Sequence, residues 1–506
     1  MPSPAPARAR WAVLTVAVLA TFLVNMDEAA VPVATPRIGD ALGASLAELQ
    51  WVYAGFLLPL AALLVTGGAL ADRLGSRRVL VAGLLVFVAG SAASAATSSP
   101  GPLVAMRVIE GVGAAFVLPA SLAVLRSAFA GPALARAIGT WVAGAIGGAA
   151  AGPLLAGALL AAFSWRSVFA PNVILGAVVV VLALVALPPG VRSPAELRWR
   201  WNLVLAAGLV ALVWGLINAG SHGWGSGRVL PAIVAGPLAL AALGAVVWRR
   251  AAASPAVDAG ALAAGLGLTQ LSLFAAVGPF FLLLIWFQRV LELSPLRAGI
   301  YVLPLSGIAA GLSPLWGRWV GRHGTALLLP VAFVAEVAGL AGLSTIDGGS
   351  SYASIVPFLL LIGLAMGALS TCTISLIVRS VPPERGGAVS GTHGAAVHVG
   401  NSLAVAVAGS VVAASVAGEY SGALRRAGLP QTPALLSAAK ADLAQGIAGS
   451  GAFRRPGLDA FTLAMGHAVL VSACVAGVGL ACAVAYSLRG RLPFRPVRTL
   501  APKEAP

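Results

Sequence analysis

Apolar runs long enough to cross a bilayer recur along the whole chain, separated by short polar connections. A helix needs roughly 20 mainly apolar residues to span the hydrocarbon core. Runs at 11–35, 48–70, 78–98, 102–126, 136–161, 167–188, 201–220, 228–248, 264–287, 297–320, 325–345, 353–378, 387–416 and 461–487 meet that length. The pattern therefore predicts fourteen membrane-spanning helices. The first run follows the basic flank of MPSPAPARARW, as in a signal peptide, but it is too long for an h-region and has no clean cleavage site. It reads as a retained first span.

Composition sharpens this picture. The chain is 59% hydrophobic and 9% charged, with mean hydropathy +0.95, against about 25% charged residues in soluble domains. A net charge of +16 in a soluble domain would suggest nucleic acid. Here the basic residues sit between spans, as Arg8, Arg10, Arg73, Arg77, Arg78, Arg126 and Arg136 do in the first third, so they report orientation and exclude a nucleic-acid partner. They fall mainly on one side of an even number of spans, which puts both termini in the cytoplasm. The external segment 417–460 departs from the rule with Arg425, Arg426, Arg454 and Arg455, but long connections follow it weakly.

Only two lysines occur, Lys440 and Lys503, and neither follows a glycine, so no Walker-type phosphate loop exists. An ion gradient is the natural energy source. Cys372, Cys474 and Cys482 lie in apolar runs without metal-ligand spacing, so no metal or cofactor is expected. A membrane enzyme would need catalytic carboxylates on an accessible loop. The long external segment offers only the isolated Glu419, Asp442 and Asp459, so no enzyme activity is expected.

The chain also echoes itself. LADRLGSRRVL at 70–80 aligns with WVGRHGTALLL at 319–329, matching Arg73 to Arg322 and Gly75 to Gly324, and a similar shift sets Arg136 against Arg385. Two six-span halves with spans seven and eight inserted between them produce this pattern, and parallel repeats are a transporter signature.

Three motifs carry a family resemblance. The loop Gly68, Asp72, Arg73, Gly75, Arg77, Arg78 follows span two. RVIEGVGAA, from Arg107, lies in span four, and Gly148, Gly152, Pro153 and Gly157 lie in span five, followed by WRSVFAPN. Together they resemble the major facilitator superfamily, and within it the fourteen-span drug:proton antiporter branch. DEAAVPVATPRI from Asp27 is similar to the branch's span-one motif with Pro32 in place of Asn, Glu110 stands where the family has Gln, and Ala156 replaces one glycine. Acidic residues that some multidrug members carry in spans ten and thirteen are absent.

The resemblance implies an all-α polytopic membrane protein of the major facilitator fold, two six-helix bundles plus two extra central helices. The expected division is a first bundle at 1–190, inserted helices at 191–255, a second bundle at 256–490 with the external loop 417–460, and a cytoplasmic tail at 491–506. The implied activity is proton-coupled efflux of lipophilic small molecules, such as drugs, antibiotics or secondary metabolites, by a monomer in the cytoplasmic membrane. The alternative is a same-fold exporter or uniporter of one metabolite.

Ionisable residues within spans carry the candidate chemistry, because each costs about 2.5–3.5 kcal/mol at the bilayer centre. Arg107 and Glu110, three apart, share a helix face. They form either a structural ion pair or an arginine that tunes a proton-carrying carboxyl. Asp27, at a similar depth in span one, is a coupling or substrate contact, or an anchor near the interface. Glu28, about 100° round the same helix, cannot squarely face the same cavity and is a secondary coupling candidate or a bystander. Glu336 in span eleven and His393 and His398 in span thirteen are secondary candidates for proton binding or for packing. Trp51, Tyr53 and Phe56 fit an aromatic belt or a cavity wall. The glycines of span five fit close helix packing, to which Pro153 adds a kink. For the span-two loop the family implies a latch through Asp72 and its arginines, made in one access state and broken in the other.

Overall fold

Inside a bilayer every backbone N–H and C=O must find a partner within the chain, and helices provide this segment by segment. The computed structural model describes residues 7–129, 131–188, 199–252, 257–381, 386–443 and 451–489. Among them the regular elements are helices.

The first bundle comprises α1 (Ala7–Leu42), α2 (Leu46–Leu74), α3 (Ser76–Ala96), α4 (Pro100–Ala128), α5 (Gly131–Ala162) and α6 (Ala170–Ala186), the last preceded by a 3-10 turn at Trp165–Phe169. Two helices follow, α7 (Trp199–His222) and α8 (Leu230–Ala252). The second bundle comprises α9 (Ala259–Arg289), α10 (Pro295–Tyr301), α11 (Leu303–His323), α12 (Leu328–Leu343), α13 (Tyr352–Arg379), α14 (Gly386–Arg426) and α16 (Arg454–Arg489), with the short α15 (Pro433–Leu443) between the last two. Among the described residues twelve helical stretches are long and apolar enough to cross a membrane. Leu230–Val246 and Leu328–Leu343 are shorter apolar helices.

Helix ends follow local chemistry. Ser45 and Glu48 close a capping box at the start of α2, and Asp258, Ser294 and Ser351 cap α9, α10 and α13 through their side chains. The α2–α3 turn pivots on Gly75 at φ 97° and the α11–α12 turn on Gly324 at φ 74°. These are the glycines that the internal repeat aligns, and only glycine takes this backbone readily. Packing repeats as well. In the first bundle α1 packs on α5, α2 and α3 on α4, and α3 on α6; in the second α9 packs on α14, α11 and α12 on α13, and α12 on α16. Arg385, the counterpart of Arg136, lies outside the described residues, as do the expected boundaries at 190–191 and 255–256 and the tail 491–506.

Two expectations change in detail. The tenth run is broken at Val302 into α10 and α11, with Pro304 opening the second piece. Much of segment 417–460 is helical rather than looped, because α14 continues to Arg426, α15 follows, and α16 begins at Arg454.

The bundles meet mainly at the end where α1 and α5 finish. There Gln288 on α9 donates to the Val33 carbonyl, Arg289 donates to the Pro36 carbonyl and pairs with Asp40, and Gln50 donates to the carbonyls of Val405 and Ala406 on α14. Toward the other end the start of α5 and the last turns of α11 are largely exposed, and a side chain added at Gly139, Gly317 or Gly321 would meet nothing within 4 Å. These faces of α5 and α11 are uncovered there, while α14 stays on α2, since a Cβ at Gly394 would stand 2.7 Å from Leu64 Cδ2. α7 lies along the seam, where Leu209, Val213, Leu216 and Ile217 pack with Ala54, Leu58 and Ala61 of α2 and Ala406 of α14.

Candidate functional site

Glycines bring α2, α3 and α4 close enough to bury a charge cluster. A Cβ at Gly111 would stand 2.2 Å from the Phe56 carbonyl oxygen, so α4 lies directly on α2 there and the Phe56 ring comes within 4.4 Å of the Arg107 guanidinium carbon. On the other side a Cβ at Gly90 would fall 2.7 Å from Glu110 Cγ, so only glycine on α3 leaves room for that carboxyl.

Arg107 sits at the centre, fully buried. Its Nη1 donates to Asp27 Oδ2 at 2.7 Å and to Glu110 Oε2 at 2.6 Å, and its Nε donates to the Val52 carbonyl at 3.4 Å. Asn172, in the first turn of α6, donates to Asp27 Oδ1 at 2.6 Å and to the Ser91 hydroxyl at 2.9 Å. The Ser94 hydroxyl reaches Glu110 Oε2 at 3.5 Å. Helices α1, α2, α3, α4 and α6 thus converge on one guanidinium and two carboxyls. Arg107 Nη2, Glu110 Oε1 and Asn172 Oδ1 are buried without hydrogen-bond partners among the described residues.

The two carboxyls are not equivalent. Both Asp27 oxygens accept short hydrogen bonds, whereas Glu110 has one oxygen on Arg107 and Ser94 and the other free. The site thus brings Asp27, Arg107 and Glu110 together and adds Ser91 and Ser94, which the sequence did not single out, and Asn172, which closes the WRSVFAPN stretch without a role assigned from sequence. Ser91 and Ser94 are three apart and share a face of α3, and Asn172 is a lone amide opening an apolar span. Those were the available signals. Phe56 belongs to the wall of this cluster rather than to an interfacial belt, and Trp51 packs against the seam with α7.

Glu28 does face elsewhere, toward the second bundle. Asn401 on α14 donates to Glu28 Oε1 at 2.8 Å, and His398 Nδ1 lies 3.4 Å from Glu28 Oε2. His393, earlier on α14, is part-buried. Glu336 is buried in α12, where the Ser272 hydroxyl of α9 donates to it at 3.0 Å.

The expected loop is a single turn residue, Gly75, with Asp72 and Arg73 in the last turn of α2 and Arg77 and Arg78 in the first turn of α3; Asp72, Arg73 and Arg78 are exposed, and Arg77 donates to the Leu184 carbonyl near the end of α6. Asp72 makes no ion pair among the described residues. Close helix approach beside this motif falls at Gly67, where a Cβ would lie 2.2 Å from the Ala115 carbonyl oxygen, while Gly68 has ordinary spacing.

The span-five motif divides by face. Cβ atoms at Gly148 and Gly152 would stand 2.2 Å and 2.5 Å from the carbonyls of Phe22 and Met26 on α1. Pro153 and Gly157 face the second bundle instead: a Cβ at Gly157 would meet the Leu296 Cα at 2.5 Å, and one at Gly299 would meet the Pro153 carbonyl at 2.7 Å.

Two bundles of helices, most of them long and apolar enough to cross a membrane, with charges buried inside them, define a polytopic membrane protein. The sequence profile of the Major Facilitator Superfamily matches residues 17–405, and the chain belongs to that family. It is 33% identical to the tetracenomycin C resistance and export protein of Streptomyces glaucescens, over 94% of this chain and 89% of that protein. It is 35% identical to the cephamycin export protein CmcT of Amycolatopsis lactamdurans, over 80% and 85% of the two chains. Its fold is similar to the crystal structure of a bacterial homologue of the human lysosomal transporter Spinster, with a TM-score of 0.65 at 17% identity, covering 96% of this chain and 98% of that one.

Proposed function

We propose that the protein expels lipophilic small molecules, antibiotics or secondary metabolites, from the cell in exchange for protons, and that Asp27, Arg107 and Glu110 carry the proton coupling. The observation that carries this reading is the charge count of the buried cluster, two carboxyls on one guanidinium. With all three ionised, one negative charge stays uncompensated away from water, which is costly. One proton balances the site. Glu110, with its free oxygen, is the carboxyl that accepts it, while Asp27, bonded through both oxygens, remains the fixed partner of Arg107.

The relatives named for antibiotic export and resistance support the cargo class. Fourteen spans follow if α8 and α12 cross the membrane beside the twelve longer stretches, with 191–255 as inserted helices between bundles at 1–190 and 256–490. With both termini in the cytoplasm, the uncovered faces of α5 and α11 open inward. In that state the α2–α3 latch is undone, which fits the exposed Asp72. Transport then alternates by rocking about the α5 and α10 contact at Gly157 and Gly299, with the protein working as a monomer. In inverted membrane vesicles with an imposed proton gradient, a panel of lipophilic antibiotics should include members that dissipate it. No proton flux with any of them would refute the antiport reading.

A further inference from the structure

Basic residues favour the cytoplasmic side of a membrane protein, so arginines gathered on the other side need a reason. Arg425, Arg426, Arg454 and Arg455 gather where α14 ends and α16 begins, at the end of the molecule that the proposed orientation sets outside. The carbonyl end of α14 favours cations and accounts for the first two, but the amino end of α16 opposes the other two. Arg454 is compensated by its ion pair with Glu292 in the α9–α10 turn. Arg455 is exposed and has no ionic partner among the described residues, and the same holds for Arg426.

These two arginines line one open cleft of about 330 Å³, Arg426 from α14 and Arg455 from α16, with Asp459 one turn further along α16 and alanines and Pro456 completing the wall. Arg425 is not part of that lining. Asp459 leans on the α12–α13 turn rather than pairing with either arginine, since a Cβ at Gly348 would stand 3.0 Å from its Oδ1. The apolar runs of the two helices end at 416 and start at 461, so Arg426 projects about 15 Å and Arg455 about 9 Å beyond them at about 1.5 Å per residue. A headgroup layer is roughly 5–8 Å deep, which sets the cleft at its outer edge.

We propose that this cleft binds an organic phosphate, with the phosphate group clamped between the guanidiniums of Arg426 and Arg455. Two forked donors arriving from different helices suit an anion with three or more acceptor oxygens, whereas one arginine satisfies a lone carboxylate. The amino end of α16 adds partial positive charge to the same place. The cleft falls within the roughly 300–1,000 Å³ of small-molecule sites, so it has room for the group that carries the phosphate. Asp459 offers that group an acceptor for a hydroxyl or ammonium. The phosphate has two sources at this depth, the headgroup of an anionic phospholipid and a water-soluble phosphate ester. The site is separate from the Arg107 cluster and does not rest on the antiport reading.

The test has two arms on the full-length protein. In the first, sn-glycerol 3-phosphate is titrated calorimetrically into protein in phosphatidylcholine nanodiscs at about 0.15 M salt, where charges more than about 8 Å apart are screened. In the second, native mass spectrometry reads the lipid retained from micelles holding equal phosphatidylglycerol and phosphatidylcholine. Each is run on the wild type, Arg426→Gln, Arg455→Gln and Arg425→Gln, the last removing an arginine beside the cleft but outside its lining. The proposal expects saturable binding at one site in at least one arm, and that arm identifies the source. It expects binding about tenfold weaker in Arg426→Gln and in Arg455→Gln, each losing charge-assisted hydrogen bonds, and little change in Arg425→Gln. Wild type that binds in neither arm overturns the proposal. So does binding retained in full by either cleft variant, or a loss as large in Arg425→Gln, which would mark diffuse attraction to a basic surface. All three side chains are exposed, and a monodisperse elution profile qualifies each variant.

Discussion

At Arg107 the fate of a single charge decides both stability and function. Arg107→Ala leaves two buried carboxyls without their cation, and breaking a buried pair in this way costs about 3–5 kcal/mol. The expected result is a marked drop in melting temperature in detergent together with loss of efflux. Glu110→Gln should do the opposite to the fold, since it removes the uncompensated charge while keeping the side chain's shape. We expect unchanged or raised thermal stability and a flattened pH dependence of transport. The pairing of Arg107 with Glu110 was legible in the sequence because three-residue spacing sets two side chains on one helix face. Asn172 was not, because its partner Asp27 lies 145 positions away and only the packing of α6 on α1 brings them together. The contact of Glu28 with His398 was hidden for the same reason: helical spacing showed that Glu28 points away from Asp27, and the fold alone supplied what it points at.

Among the elements, α5 shows most clearly how one motif serves two surfaces. Gly148 and Gly152 let α1 lie against it, and Gly157 lets α10 do so from the other bundle. Gly148→Ala forces a Cβ into the Phe22 carbonyl, and overpacking of this kind costs about 1–3 kcal/mol, so it should lower the melting temperature. Gly157→Ala should leave the first bundle intact and loosen the closed end. Cysteine pairs between α5 and α10 should then cross-link more slowly than in the parent, and an unchanged rate would contradict the assignment of Gly157 to the seam. Each apolar run coincides with helical structure, the tenth with two helices, and among the described residues twelve stretches are long and apolar enough to cross a membrane. The interruption at Val302 and the extension of α14 to Arg426 escaped notice because hydropathy reports burial in lipid and is silent on where a helix bends or outlasts the bilayer. The turn glycines, by contrast, could be read directly. Gly75 and Gly324 align in the repeat because both occupy a conformation that side chains resist.

For the whole molecule, the repeat in sequence corresponds to a repeat in packing, and the asymmetry lies in the chemistry. The first bundle buries an arginine with two acids, while the second buries Glu336 beside Ser272. If α7 and α8 both cross the membrane, the turn between them is external. An alkaline phosphatase fusion after Gly225 should then be active, and a fluorescent protein fused there should stay dark, while the reverse pattern would remove the two inserted spans. The latch expectation also belongs at this scale. Asp72→Asn should leave membrane insertion intact and slow transport severalfold, and wild-type rates in that variant would reduce the loop to a topology signal. The most direct test of the central claim is the number of protons moved per antibiotic molecule in proteoliposomes, compared between the wild type and Glu110→Gln. The account predicts coupled flux in the wild type and at least one proton fewer per cycle in the variant, with equal stoichiometry in the two as the contradicting result.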